Sequence, residues 1–134
     1  MTDNLARYLT TFNDRAMAAG LSMKSPGKNW APMQPLVKGC HISLSVERHR
    51  IRVNLNNDQD ASRAVYNQLQ GDDYAIETEI GEGLQWEQKD GRKKTAVRAT
   101  RKGGYGDGDW LAQHDWAIDM MRRFDLVFRK RLHS

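Results

Sequence analysis

Glu87-x-Lys89 is the one spacing in this chain that matches a catalytic arrangement. In a strand, residues i and i+2 share a face, so this carboxylate and this ammonium point the same way. Metal-dependent nucleases use such a pair: the carboxylate binds Mg²⁺ and the lysine positions the attacking water. The chemistry requires a second carboxylate from a neighbouring strand, and Asp58 and Glu79 are the nearest candidates. The upstream strands, however, present Arg50, Arg52 and Asn54 rather than an acid at mid-strand. A solvated surface pair beside a turn is the simpler account of Glu87 and Lys89, so neither a catalytic residue nor a metal ligand is assigned here.

A basic strip is the next candidate. Lys94, Arg98 and Lys102 alternate with Thr95, Val97 and Ala99, which places the charges on the outer side of one strand, with Arg50 and Arg52 expected on the same side of the sheet. Such a face can track DNA or RNA phosphates with steep salt dependence. It can equally be a wet sheet face whose basic edge discourages aggregation. No exposed aromatic for base stacking is evident. Trp30 is read as pinning the long irregular connection of residues 21–39 to the core. Arg129, Lys130 and Arg131 follow Phe128 near the C-terminus. They suit either a dipole-favoured helix end or a docking site.

Other chemistry-bearing residues have plainer readings. His114 falls on an apolar helical seam and reads as a core histidine. His41 and His49 flank one hairpin without spaced partners for a metal. Gly103 to Gly108 lacks the lysine-serine/threonine ending of a phosphate-binding loop and reads as a flexible connector. Cys40 is the only cysteine, which excludes an internal disulfide and a cysteine-based metal cluster. No cofactor is implied.

The elements that must position these residues are legible from periodicity. Asp3 is placed to cap a helix from Asn4 to Ala19, with Leu5, Tyr8, Leu9, Phe12 and Ala16 at helical spacing. Residues 21–39 hold all three prolines and read as irregular. His41 to Val46 and Arg50 to Asn56 alternate strictly and predict a hairpin with one polar side. Asp60 is placed to cap a helix buried through Ala61, Ala64, Val65 and Leu69. A second helical piece runs through Ile76 to Ile80 before Gly81. Leu84 and Trp86 start a third strand, Asp90-Gly91 turns it, and Thr95 to Ala99 form a fourth. Asp109 caps a last helix whose seam is Trp110, His114, Ala117, Met121, Phe124 and Phe128. The order αββαββα predicts a single α+β domain over residues 1–134: a four-stranded antiparallel sheet with helices on one face.

Composition fits that architecture. The chain has 134 residues, 39% hydrophobic and 28% charged, enough for one buried core and too apolar for disorder. No apolar run is long enough to span a bilayer, the first residues lack signal-peptide order, and a cytoplasmic location is expected. The net charge of +4 is uneven. Residues 1–91 carry 10 basic and 12 acidic side chains, whereas residues 92–134 carry 11 and 5. That asymmetry permits contact with a phosphate backbone or an acidic partner, and helix C-termini also favour Lys and Arg for dipole reasons alone.

The text Ile42-Ser43-Leu44-Ser45, Arg52-Val53-Asn54-Leu55, Ala64 to Leu69, Ile76-Glu77, Gly81 and Leu84-Gln85-Trp86-Glu87 resembles a bacterial domain-of-unknown-function family. The Trp116 helix, with Met120, Phe124, Phe128 and Leu132, continues the likeness to the end. Members of that family often lie C-terminal to restriction-type nuclease-like parts. The resemblance therefore implies the fold and a genome-defence setting; it supplies no catalytic residues. The expectation is a non-enzymatic interaction module, either a host accessory subunit or a phage-encoded inhibitor, that engages a protein or protein–nucleic acid complex. Direct nucleic-acid binding is the alternative, and an Mg²⁺-dependent nuclease the third reading. Either an exposed hairpin edge or the Trp110–Phe128 seam offers a homodimer contact.

Overall fold

The computed structural model describes residues 2–132. Its elements are α1 (Thr2–Ala18), β1 (Trp30–Pro32), β2 (Cys40–Val46), β3 (Arg50–Asn57), α2 (Ala64–Gln70), α3 (Asp73–Ile80), β4 (Gln85–Gln88), β5 (Thr95–Lys102) and α4 (Trp110–Leu132). The strands form one antiparallel sheet in the order β1-β2-β3-β5-β4. The α+β class and both hairpins are as expected from alternation, but the sheet has five strands rather than four. The extra strand is short and ends in Pro32, a residue that cannot donate to a ladder and so disguises a strand as a loop.

Register decides which side chains meet water. Ile42 lies opposite Leu55, Leu44 opposite Val53, and these continue to Val97 and Ala99 on β5. That inner face shares one core with Tyr8 and Phe12 of α1, Leu69 of α2, Ile76 and Ile80 of α3, and Met121, Phe124 and Phe128 of α4. Helical side chains thus cover one side of the sheet. Most of the α4 seam is buried within this core, and Trp110 at its start is half-buried.

Three local expectations need correction. α1 begins at Thr2, which places Asp3 within the helix rather than ahead of it. The buried side of α2 is Tyr66 and Leu69; Ala61 and Ala64 are exposed. The glycine-rich segment is no loose connector. Tyr105 and Gly106 donate backbone hydrogen bonds to Glu47 and Arg48, and Gly103 donates to His49, which pins the segment on the β2–β3 turn. Gly104, at φ +117, sits so close to that turn that a Cβ would lie 2.3 Å from the Glu47 carbonyl oxygen. The buried Gln113 side chain closes the segment from beneath. Its Oε1 accepts from the Tyr8 hydroxyl (2.5 Å) and from the Gly104 amide (2.9 Å), and its Nε2 donates to Asp109 (2.7 Å).

A polar sheet face as candidate functional site

The face of the sheet away from the core is built from the alternate residues of each strand. In register these are Ser45, Arg52 and Thr100; Ser43, Asn54, Arg98 and Gln85; and His41, Asn56, Ala96 and Glu87. Arg50 pairs with Lys102 at one end. The expected basic strip therefore exists, with Arg50, Arg52, Arg98 and Lys102 on one side of the sheet. Lys94 lies just before β5.

Hydrogen bonds tie the middle of this face together. Arg98 donates to Glu87 (2.5 Å) and to the Asn54 side-chain oxygen Oδ1 (2.6 Å), and the Asn54 side-chain amide donates to the Ser45 hydroxyl (3.1 Å). Asn56 donates to Ser43 (2.9 Å). Asn54 and Ser43 are buried within this carpet, so their polar atoms must be paired there. At one end both Arg50 (2.7 Å) and Arg52 (2.9 Å) reach Glu47. The hydrogen bond from Arg50 is the main reason that the Glu47 carboxyl is held below its ordinary range.

Charge without a local partner gathers where β4 turns into β5. A groove of about 610 Å³ is lined there by Asn56, Asp58, Glu87, Arg98 and the turn residues Lys89 and Arg92 to Lys94. Among the described residues, Lys89, Arg92, Lys93 and Lys94 form no ion pair, and all four are exposed. The turn that carries them is nevertheless fixed. The Asp60 amide donates to the Lys93 carbonyl (2.6 Å), and the Arg63 guanidinium donates to the carbonyls of Lys89 (2.6 Å) and Asp60 (3.1 Å). Arg63 adopts left-handed φ 63 at the start of α2, the one described non-glycine residue with positive φ.

Asp60 is the anchor beneath this arrangement. Its buried carboxylate accepts from the amides of Val65 and Tyr66 (both 3.0 Å) and from the Thr95 hydroxyl (2.7 Å). It therefore caps α2 from three residues before the conventional cap position, which Arg63 occupies. Sequence reading identified Asp60 as a cap but missed Arg63, whose role depends on a backbone conformation that no spacing announces.

Glu87, Lys89 and Asp58 all line the groove, while Glu79 lies elsewhere, on α3. Glu87 is engaged by Arg98, and Lys89 falls one residue beyond the end of β4. No group of three or more metal-binding side chains occurs among the described residues. The C-terminal basic residues have acidic partners on the protein itself: Arg129 pairs with Asp125 one turn earlier on α4, Lys130 with Glu79, and Arg131 with both Asp72 and Glu79. Hydrogen bonds from Arg131 and Lys130 draw the Glu79 pKa down to about 2. They fasten the end of α4 to α3.

A second depression borders the first at Asp58. It measures about 390 Å³ and includes Lys24, Gly27, Trp30, Pro32 and His41. His41 Nδ1 lies 3.4 Å from Asp58, while its Nε2 is buried without a partner. Burial lowers the His41 pKa, opposed by Asp58 and reinforced by Lys24 and Lys94. Trp30, expected to pin the loop to the core, instead lies on the outer face with 37% of its surface exposed.

The model of a family described as "Domain of unknown function (DUF4268)" matches residues 6–132. The chain belongs to this family. No curated protein matches the chain. Among solved structures, the DUF4268 domain is similar to YbjN, "a putative transcription regulator from E. coli", with a TM-score of 0.57 at 12% identity, over 93% of this chain and 91% of that one. At that identity the likeness shows shared fold alone. No described helix is long and apolar enough to cross a membrane.

Proposed function

We propose that this protein is a non-enzymatic interaction module that engages an anionic macromolecular partner through its helix-free sheet face. The observation that carries this reading is the fixed turn bearing Lys89, Arg92, Lys93 and Lys94, four cations with no carboxylate partner beside a groove that opens onto that face. A fixed turn spares the backbone share of the ordering cost on binding, which favours association. The partner classes compatible with this charge are a nucleic-acid backbone and the acidic surface of a protein or protein–nucleic acid complex. A role in bacterial or phage genome defence, as accessory subunit or inhibitor, rests on the family resemblance and belongs to the same proposal.

The test is binding of polyanions and of candidate complexes at low and moderate salt, by wild type and by a variant with these four residues changed to alanine. Retained binding in a folded variant counts against the reading. A metal-dependent nuclease is the second reading, favoured only by the shared groove of Asp58, Glu87 and Lys89. It requires Mg²⁺-dependent cleavage that Glu87→Ala abolishes with the fold intact.

A further inference from the structure

We infer that the anionic partner is single-stranded nucleic acid, laid across the outer sheet face with its phosphates on the basic turn and a base stacked on Trp30. This rests on the interaction reading above and deepens it. Two depressions share Asp58: the basic groove, and the smaller one that contains Trp30, Pro32, His41 and Lys24. Lys94, which lines the first, and Lys24, which lines the second, both oppose a positive charge on His41 between them.

The Trp30 indole is exposed yet fixed. Trp30 and Gly27 are joined by a backbone hydrogen bond of 2.9 Å. A Cβ on Gly27 would lie 2.0 Å from the indole nitrogen, so only glycine lets the ring lie so close to the chain there. The His41 ring meets the indole edge-on at 5.5 Å. A rigid exposed aromatic beside lysines is the element that base stacking requires, and stacking is tolerant of sequence. β1 and β5 are separated by three strand spacings, roughly 15 Å, and Trp30 is in register with Thr100, several residues along β5 from the basic turn. The indole leans back towards that turn, against the His41 ring, and a strand of several nucleotides bridges the diagonal with phosphates at one end and an unpaired base at the other. A duplex keeps its bases stacked internally and cannot offer one to Trp30 without unpairing it. An acidic protein uses the cations but has no need of the ring.

The experiment uses the full chain with fluorescently labelled single-stranded oligonucleotide, the matching duplex and polyglutamate, at low salt. Wild type is expected to prefer the single strand, with quenching of the tryptophan emission that disappears in Trp30→Leu. Trp30→Leu should weaken single-strand binding by about tenfold and leave duplex and polyglutamate binding unchanged. Circular dichroism and melting of the variant confirm that the fold is kept. Binding of the single strand with unchanged affinity in folded Trp30→Leu overturns the stacking inference and leaves the interaction reading standing. Preference for polyglutamate over both nucleic acids assigns the face to an acidic protein and also overturns it. Absence of binding to all three polyanions overturns the underlying reading as well.

Discussion

His114 makes acid stability a direct probe of the packing between α1 and α4. Its ring is fully buried, both nitrogens lack a partner, and it meets Tyr8 at 4.6 Å and Phe12 at 5.5 Å, both edge-on. Burial, helped by Arg15 and opposed by Asp115, lowers its pKa from 6.5 to about 4. The unfolded chain therefore takes up a proton below about pH 6.5, whereas the folded one refuses it until about pH 4. Stability is lost as pH falls through that window and stops falling on this account below it. At 1.36 kcal/mol per pKa unit the total is about 3 kcal/mol, with a limiting slope of about 1.4 kcal/mol per pH unit. His114→Leu removes the proton site and keeps an apolar side chain of similar bulk. Urea unfolding of both proteins at about pH 7, 6, 5 and 4 isolates the contribution, because all other groups are common to the two. The wild type should lose about 3 kcal/mol relative to the variant across that range. Parallel pH profiles would refute the reasoning, since they require a histidine that is hydrated or paired in the folded state.

Gly104→Ala should cost at least about 2 kcal/mol in urea unfolding, because its new methyl group meets the Glu47 carbonyl and the backbone stays at positive φ. Asp60→Asn should cost about 2 kcal/mol and speed hydrogen exchange at the Val65 and Tyr66 amides, since the new Nδ2 faces groups that themselves donate. Glu79 should titrate near 2 by carboxyl NMR and return towards 4.5 in Arg131→Gln. Its depressed pKa means that the α3–α4 clamp is fully present above the ordinary carboxylate range and is lost as pH falls towards 2.

Much of the fold is legible because burial writes a period into the sequence. Ile42, Leu44 and Val46 facing Ile51, Val53 and Leu55 declare a hairpin, and the α4 seam declares a helix. β1 is hidden because its Pro32 signals a loop, and with it went the position of Trp30, whose place on the outer face follows from pairing with β2. The tethered glycine segment is hidden because its stability comes from Gln113 and a distant turn rather than from neighbours in sequence. At the candidate site, alternation correctly put Arg50, Arg52, Arg98 and Lys102 together. It could not tell which charges are already paired, because Glu47 and Glu87 reach them only across the folded sheet.

The most direct test of the basic turn is the salt dependence of binding to a single-stranded oligonucleotide. Each phosphate contact contributes about −0.7 to the slope of log K against log salt. The variant with Lys89, Arg92, Lys93 and Lys94 changed to alanine should therefore show a slope shallower than wild type by up to about 3 units, with weaker binding throughout. A folded variant with the wild-type slope and affinity would contradict the assignment of the partner to this turn.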